Sequence, residues 1–283
     1  MHSWRKTTGK HSLFDPIISQ LARLTLGYRC NKIAKHFDEF LSPHLAQTPL
    51  QRNACFCIRH QVYCNELGIL DIKQEPLESD EYDNHAYHAL VMHKPTQVYA
   101  GTVRVVHSPS SKRKLPLEKH FLKHILPGKA HPEDFPRDSI CEISRLAVTS
   151  NFRRRFSDKF CGAATGAINE AISFETKPVT NSANELRRFP LVTTGLYLSA
   201  ASIVLQNKVP HCFALMEPLL ARNLANINIK FEQISPIINF KGQRAIFYLN
   251  ANNLAASLTS ELNQLLQHVD TVLFKGSSNS ALQ

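Results

Sequence analysis

The amino-acid sequence predicts a single α/β domain with a mixed central sheet flanked by helices. Three apolar strands follow one another at 86–92, 98–106 and 140–148, and strand–helix–strand units come after them. This order is typical of a mixed sheet with helices packed on it. Hydrophobic residues make up 43% of the 283 residues, enough for a substantial core. No apolar run approaches the roughly 20 residues of a membrane span.

The N-terminal elements are predicted from helical periodicity. Residues 1–45 form a helical extension, because their apolar positions repeat every three or four residues. This extension either docks on the core or lies on a membrane surface, since basic residues surround it. A second helix begins at Pro49, runs to about Asn65 and ends before Gly68. The acid-rich stretch 75–83 is predicted to be a loop.

The remaining elements complete one domain over residues 46–270. They are a short helix near 117–122, a long apolar helix at 185–207, a strand at 211–216, a helix at 218–226, strands at 229–234 and 245–249, and a helix at 254–269. Residues 149–184 are irregular, and we predict that they form an insertion. The Ser/Asn-rich residues 271–283 are predicted to be a flexible tail.

Charged residues interrupt these apolar elements. They are Arg59 on the second helix, Glu78, Asp80 and Asp83 in the acidic loop, Arg104 in the second strand, and Glu142 and Arg145 in the third. Because an unpaired buried charge is costly, we expect the strand charges to find partners among the loop carboxylates. Two interpretations remain open: an active site, or a structural ion-pair network that fastens the loop to the sheet.

The direction of Arg145 is the main uncertainty in this pattern. Strict strand alternation places Glu142 and Ser144 on one face and Arg145 on the other. A β-bulge would bring Arg145 to the other face and leave a backbone N–H free. The sequence leaves this point open.

In this order, ending in Glu142-x-Ser144-Arg145, the charged residues resemble the signature of two related enzyme groups. These are the acyl-homoserine-lactone synthases and the N-acyl amino acid synthases of the GNAT superfamily. Residues 59–68 and 142–148 are similar to one branch, the acyltransferase associated with the PEP-CTERM/exosortase system of bacteria. The resemblance covers residues 35–250 and implies a GNAT-like mixed sheet, which the strand order also favours.

The resemblance implies transfer of a medium- or long-chain acyl group from an acyl carrier protein to the amine of an amino acid or a similar small amine. Glu142 is then the base that deprotonates the amine, with Ser144 and Arg145 beside it in the catalytic strand. The loop carboxylates and the arginines at 59 and 104 bind and orient the substrate. The acyl chain is expected to lie between the sheet and the long helix at 185–207, lined by Leu191, Val192, Leu196, Leu198, Ile203 and Val204, residues that core packing explains equally well. The alternative within this class is an acyl-homoserine-lactone synthase that uses S-adenosylmethionine. No permanently bound cofactor and no metal are expected.

The acyl donor is inferred from the residues that follow the third strand. Residues 151–157 lack the glycine pair with which GNAT enzymes bind coenzyme A, which favours the acyl-phosphopantetheine of a carrier protein as donor. Acyl carrier proteins are acidic, and this chain has a formal net charge of +10. The basic clusters predicted to dock the carrier protein are Lys112, Arg113, Lys114, Arg153, Arg154 and Arg155. Either cluster is equally well explained as a solvated loop.

Other classes fit less well. The seven cysteines are odd in number and include no CxxC pair, so a reduced cytoplasmic protein is expected, with peripheral membrane contact compatible. Zinc ligands normally come in pairs from two segments, and no second pair is present. The alternative of another class is a basic protein that binds nucleic acid or a membrane surface without catalysis. No specific nucleic-acid motif supports it.

Overall fold

The protein is built on one eight-stranded sheet. The structure is a computed structural model that describes residues 35, 37–72, 74–107, 110, 113–153 and 191–275. The strands are β1 (Leu41–Leu45), β2 (Ala86–His93), β3 (Val98–His107), β4 (Ile140–Val148), β5 (His211–Met216), β6 (Glu232–Gln233), β7 (Ile238–Asn239) and β8 (Gln243–Asn250). Their spatial order is β1-β2-β3-β4-β5-β8-β6, and β7 also pairs with β8.

The pairing between β4 and β5 sets the shape of the centre of the sheet. These two strands are parallel, whereas the other described pairs are antiparallel. They pair only over Ile140–Glu142 and His211–Phe213. Beyond Glu142, β4 remains paired with β3, and β5 continues along β8. The two strands therefore separate and leave a fork in the sheet, with Glu142 at its last paired position.

Helices cover both faces of the sheet. They are α1 (Pro49–His60), which continues as a π-helical turn over Gln61–Glu66, α2 (Pro116–His120), α3 (Leu191–Gln206), α4 (Pro218–Asn226), α5 (Leu254–Ser257) and α6 (Ser260–Phe274). Short 3-10 helices lie at Glu81–His85, Leu122–His124, Pro132–Asp134, Arg137–Ser139 and Ala251–Asn253. No helix among the described residues is long and apolar enough to cross a membrane.

The start of α1 follows from its local sequence. The hydroxyl of Thr48 accepts a hydrogen bond from the backbone N–H of Gln51, and the side-chain oxygen of Gln51 accepts one from the N–H of Thr48. Pro49 occupies the first turn. The apolar side of this helix packs on the sheet beside Leu90 and Ala147. The same side carries Arg59, and α1 thereby places a guanidinium group against the sheet.

The opposite face is covered by α3 and α6. Every residue of α3 from 191 to 204 is buried, as its almost continuous apolar sequence requires. Gly195 permits a close approach, since a Cβ atom there would lie 2.7 Å from the ring of Phe37. This face holds the larger hydrophobic core, and α1 and α2 cover smaller cores on the other side.

The structure confirms the predicted mixed sheet flanked by helices and gives it a GNAT-like arrangement. Three boundaries were wrong. Residues 41–45, predicted as part of the helical extension, form the edge strand β1 because they pair with β2. The strand predicted at 229–234 is only two residues long. The helix predicted at 254–269 is interrupted at Leu258 and Thr259, where Thr259 caps a new helix.

Two other predictions lie largely outside the described residues. These are the N-terminal extension up to residue 34 and the insertion, of which residues 154–184 are not described. The predicted tail is described only as far as Lys275, and its first residues are the end of α6 rather than tail.

Candidate active site

The acidic loop before β2 is folded around its own carboxylates. Asp80 precedes a 3-10 helix and accepts a hydrogen bond from the N–H of Tyr82 at 3.0 Å. Asp83 reaches back and accepts one from the N–H of Asp80 at 2.8 Å. The N–H of Glu78 donates to the carbonyl of Phe56 on α1. The loop thus points three carboxylates at the sheet in a fixed arrangement.

Arg59 is the first partner of these carboxylates. Its side chain is fully buried between α1 and the sheet. Two of its nitrogens bind both oxygens of Asp83, at 2.7 and 3.0 Å, and its Nε donates to Glu78. A guanidinium group matches a carboxylate in this two-point geometry. Arg59 therefore joins α1 to both ends of the acidic loop.

Arg104 is the second partner and comes from the sheet itself. It is also fully buried, and its Nη1 donates to Asp80 at 2.6 Å and to Asp83 at 2.8 Å. Its Nε donates to the hydroxyl of Ser144 on β4 at 3.1 Å. Arg104 thus connects the loop carboxylates to the predicted catalytic strand.

A β-bulge brings Arg145 to the same group. Arg104 pairs with Ser144 and Thr102 with Ala147, so Arg145 and Leu146 lie opposite the single residue Val103. Arg145 has φ of +53°, in the left-handed region. Its guanidinium group contacts Asp80 at 3.0 Å and Glu78 at 3.2 Å. Strand alternation alone left the direction of the Arg145 side chain open. In the structure it lies beside Arg104 and the loop carboxylates.

The electrostatics of this group favour the charged form of Asp83. Burial alone would raise the pKa of Asp83, but hydrogen bonds from Arg59 and the charges of Arg59 and Arg104 hold it well below its usual range. The pKa of Arg59 is raised despite its burial, because Asp83 and Glu78 stabilise the cation. Three guanidinium groups therefore face three carboxylates in what we call the ion-pair cluster, defined by Arg59, Arg104, Arg145, Glu78, Asp80 and Asp83.

Glu142 is buried beside this cluster but is not one of its ion pairs. Its side chain is 4% exposed, and one oxygen accepts a hydrogen bond of 2.7 Å from the N–H of Leu117 in the first turn of α2. Burial raises its pKa to about 7, although the Leu117 N–H and the charge of Arg104 act in the opposite direction. A carboxyl group with a pKa near neutrality is suited to take and return a proton.

An apolar cavity of about 130 Å³ opens beside the fork between β4 and β5. Its wall includes Ser144, Arg145 and Leu146 from the bulge. From α3 come Tyr197, Ala200, Ala201 and Val204, and α4, β5 and β8 supply half of the other lining residues. The bulge therefore has the ion-pair cluster on one side and an apolar space on the other.

The cavity lies between the sheet and the long helix, where the sequence analysis expected the acyl chain, and its use as an acyl site stays a prediction. The lining residues differ from those that the sequence suggested. Of the predicted set Leu191, Val192, Leu196, Leu198, Ile203 and Val204, only Val204 lines the cavity. The other five are packed in the core. A helix that is apolar on all sides gives no periodicity from which its cavity side can be identified.

The predicted docking clusters are only partly described. Arg113 and Lys114 are exposed on the loop before α2. Arg153 is one-fifth exposed and forms an ion pair with Glu66 at the end of the π-helical turn. Lys112, Arg154 and Arg155 lie outside the described residues. A docking role for either cluster stays a prediction.

Several site residues were missed by the sequence analysis. The hydroxyl of Tyr63 donates to the carbonyl of Leu146 at 2.7 Å and so fixes the bulge from α1's π-helical turn. Leu117 supplies the hydrogen bond to Glu142 through its backbone, which leaves no side-chain signal. Tyr197 stands on the cavity wall. Within the described residues, no group of three or more His, Cys, Asp or Glu side chains could hold a metal ion.

Comparisons with known proteins agree with the fold. Residues 58–161 match the family described as Acetyltransferase (GNAT) domain. No curated protein matches the sequence. The structure resembles the AHL synthase LasI, with TM-score 0.51 and 14% identity, covering 77% of this chain and 96% of that one.

Two further solved structures are similar to this one. TofI, in a ternary complex with an inhibitor and MTA, gives TM-score 0.52 and 15% identity over 80% of this chain and 99% of that one. FeeM, an N-acyl amino acid synthase from uncultured soil microbes, gives TM-score 0.49 and 11% identity over 79% of this chain and 97% of that one. At these identities, the matches to LasI and TofI show a shared GNAT-like fold. The similarity to the exosortase-associated branch stays a prediction.

Proposed function

We propose that the protein is an N-acyltransferase that moves an acyl group from a carrier-protein thioester to the amine of an amino acid or a similar small amine. The single observation that carries this proposal is the position of Glu142. A carboxyl group with a pKa of about 7 stands at the last paired position before the fork. An apolar cavity, lined by the next residues of β4 but not by Glu142 itself, opens beside the same fork. An acyl chain needs such a cavity, and amine attack needs such a base.

In this proposal Glu142, Ser144 and Arg145 have different roles in the acyl transfer. Glu142, directly or through one water, removes a proton from the ammonium form of the acceptor, whose nitrogen then attacks the thioester carbonyl. The carbon–sulfur bond breaks, the second proton of the attacking nitrogen passes to the departing sulfur, and the products are an amide and the free thiol of the carrier protein. Ser144 and Arg145 lie on the bulge beside the reacting carbonyl, and a backbone N–H there is suited to the oxyanion.

The ion-pair cluster positions the site. It fixes the bulge and the acidic loop relative to each other through Arg59, Arg104 and Arg145. Asp80 is one-quarter exposed, unlike Glu78 and Asp83, and is the cluster carboxylate best placed to meet the acceptor's amine. In this proposal the acyl donor is a carrier protein and the acceptor is an amino acid. The net charge of +10 supports the first, because acyl carrier proteins are acidic.

An acyl-homoserine-lactone synthase that uses S-adenosylmethionine is the second candidate. The observation that favours it is the fold shared with LasI and TofI. The same base, bulge and cavity serve both candidates, because each begins with attack of an α-amine on a thioester. Only the acceptor and the later fate of the product differ.

Mass spectrometry of the products tests these candidates together. Purified protein is incubated with carrier proteins that bear acyl chains of several lengths, and with the corresponding coenzyme A thioesters in parallel. The acceptors are the twenty amino acids and S-adenosylmethionine, and reactions without acceptor are the control. We expect an N-acyl amino acid; a lactone would assign the second candidate. A folded protein that makes no acylated amine from any donor would refute the proposal and favour a structural ion-pair network.

A further inference from the structure

Three exposed apolar side chains lie near one another at one corner of the sheet. They are Leu126, 43% exposed, in the segment after α2, and Ile237 and Phe240, 55% and 39% exposed, on either side of β7. Isolated exposed apolar residues are normal, but neighbouring ones often mark a contact site. Six large apolar side chains are exposed among the described residues, and half of them lie on these two segments.

Backbone and ring contacts join the two segments. The N–H of Leu126 donates to the carbonyl of Ile234 at 2.9 Å, three residues before Ile237. The rings of Phe121 and Phe240 meet edge to face, with their centroids 4.9 Å apart. The exposed side chains of Leu126, Ile237 and Phe240 therefore belong to one surface, which we call the corner patch.

Two lysines border the corner patch. Lys123 precedes Leu126 by three residues, and Lys241 follows Phe240, with its ammonium nitrogen 5.9 Å from the centroid of that ring. Both lysines are exposed, and neither forms an ion pair with another described residue. An apolar centre with a polar or charged rim is the usual composition of a protein–protein contact. The positive charge of this rim fits an acidic partner.

The corner patch lies at the end of the sheet where the fork between β4 and β5 opens. β8 runs antiparallel to β5, and the turn Phe240–Gly242 comes directly before Gln243, the first residue of β8. Glu142, at the closed end of the fork, pairs with Phe213, which pairs with Tyr248. Gln243 is five residues from Tyr248, which is roughly 17 Å along the strand.

A groove adjoins both the corner patch and the apolar cavity. It has a volume of about 750 Å³, and its wall includes Ile237, Gly242 and Gln243. Glu217 and Phe231 line both the groove and the cavity. The phosphopantetheine arm has about as many backbone bonds as four extended residues, so it spans roughly 15 Å. A carrier protein at the corner patch therefore brings its arm to the open end of the fork.

We propose that the corner patch is the docking surface for the acyl carrier protein, with its apolar side chains in the contact and its lysines facing carboxylates of the partner. This inference rests on the proposed function, because it takes the donor to be a carrier protein. The basic loop clusters predicted from the sequence then act on the rate of encounter, whereas the corner patch holds the bound carrier protein.

A membrane surface is the other class of partner that apolar and basic side chains fit. The position of the corner patch favours the carrier protein. A membrane contact does not need to lie within the length of a phosphopantetheine arm from Glu142, whereas a carrier-protein contact does.

The test compares the wild type with the corner variant, which combines Ile237→Glu and Lys241→Glu. Both side chains are exposed, so Tm should be unchanged. The binding probe is a carrier protein whose arm bears a decanoyl group in an unreactive amide linkage. Its affinity should fall by about ten-fold, mainly through faster dissociation. kcat/KM for the decanoyl carrier protein should fall by the same factor, and kcat/KM for decanoyl N-acetylcysteamine, which has no protein to dock, should be unchanged.

Leu50→Glu combined with Lys208→Glu is the matched control, since it replaces the same kinds of side chain and changes the net charge equally. Leu50 is 81% exposed at the start of α1. Lys208 is exposed with φ of +53°, close to the +50° of Lys241, and precedes β5 at the closed end of the fork. The control should leave carrier-protein binding unchanged. The inference is overturned if the corner variant and the control bind the carrier protein equally well.

Two further measurements look for another occupant of the corner patch. Both variants and the wild type are sedimented with vesicles of phosphatidylcholine and phosphatidylglycerol, and their oligomeric state is measured by sedimentation velocity. If the corner variant loses vesicle binding but keeps carrier-protein binding, the patch is a membrane contact and the inference is overturned. If it loses a dimer and keeps carrier-protein binding, a second copy of this chain is the occupant, and the inference is again overturned.

Binding and turnover together keep this inference separate from the proposed function. If the wild type makes no acylated amine from any donor, yet binds the carrier protein about ten-fold more tightly than the corner variant, the proposed function fails and the docking surface stands. If the wild type acylates amines from carrier-protein donors and the corner variant does so equally well, the proposed function stands and the docking surface fails.

Discussion

Asp83 and Glu142 are both buried carboxyl groups on the same side of the sheet, and each residue is 4% exposed. Asp83 binds Arg59 through both oxygens and also accepts from Arg104, so its pKa lies well below the usual range. Glu142 is given one backbone N–H, and burial raises its pKa to about 7. Equal burial therefore produces opposite protonation behaviour, and the difference is the number of arginines in contact.

This contrast separates positioning from chemistry. A carboxylate that binds two guanidinium groups has a lowered pKa, stays charged and fixes the position of the loop. A carboxyl group with one neutral donor retains that affinity in the physiological range. The ion-pair cluster and Glu142 are neighbours in the sheet, yet we expect substitutions in them to affect different measurements.

The largest effect is expected at Glu142. Glu142→Gln preserves the shape of the side chain and removes the base, so kcat should fall by about 10²- to 10⁴-fold. Tm should be unchanged or higher, because a neutral amide is less costly to bury than a carboxylate. The measurements are steady-state kinetics and thermal denaturation. Glu81→Gln, which changes an exposed acid paired with Lys119, is the control and should leave both unchanged. Near-normal turnover by Glu142→Gln would remove this residue as the base.

Asp83→Asn should act on stability first. The substitution removes the carboxylate that the buried Arg59 and Arg104 share, and breaking a buried ion pair typically costs about 3–5 kcal/mol of unfolding free energy. Urea denaturation measures this loss. Glu81→Gln again provides the comparison, since an exposed ion pair contributes at most about 1 kcal/mol. A loss from Asp83→Asn as small as that of the control would show that the cluster does not hold the loop to the sheet.

The pH dependence of stability should differ in sign between the two carboxyl groups. The pKa of Glu142 is raised from 4.5 to about 7 on folding. Its contribution is therefore fully present below pH 4.5, and up to roughly 3 kcal/mol is lost as pH rises to 7. The pKa of Asp83 is lowered, so its contribution is present above pH 3.8 and is lost as pH falls.

Urea denaturation from pH 4 to pH 8 checks this sign. The difference in unfolding free energy between Glu142→Gln and the wild type should grow in favour of the variant from pH 4.5 to pH 7 and then remain constant. A difference that is flat over this range would mean that Glu142 titrates normally.

The smallest effect is expected at the predicted docking clusters. Reversing Arg154 and Arg155 to Glu should slow association with an acidic carrier protein by on the order of ten-fold and weaken its dependence on salt. Arg153 is left in place because its ion pair with Glu66 belongs to the fold. Stopped-flow association at two salt concentrations measures the change. Arg113→Glu with Lys114→Glu tests the other exposed cluster. If all association rates are unchanged, these residues are solvated loops.

The residue types along the chain were sufficient to predict part of the ion-pair cluster and the central strands. Arg104 and Arg145 were expected to pair with the loop carboxylates because buried charges need partners, and they do pair. Glu142 was included in that expectation and instead binds the N–H of Leu117. The strands from 86 to 148 were predicted because their apolar runs are long and clearly bounded. The edge strand at 41–45 was missed, since a short segment containing proline and two polar residues gives a weak strand signal.

The parts that could not be predicted depend on register and on backbone groups. The bulge that turns Arg145 is a property of how β4 pairs with β3, and alternation within one strand cannot show it. The donor to Glu142 is the N–H of Leu117, twenty-five residues earlier, and a backbone group has no signature in the sequence. The protonation contrast between Glu142 and Asp83 follows from their burial and from the contacts of Asp83 with Arg59 and Arg104, so it too becomes visible only in three dimensions.

The most direct test of the account is the release of carrier-protein thiol from an acyl donor as a function of pH. The wild type should release thiol only when an amine acceptor is present, and kcat/KM for the acceptor should rise with an inflection near pH 7 in addition to that of the amine. Glu142→Gln should lose both the rate and that inflection. Thiol release that is independent of the amine, or an unchanged pH profile in Glu142→Gln, would contradict the assignment of Glu142 as the base of an N-acyltransferase.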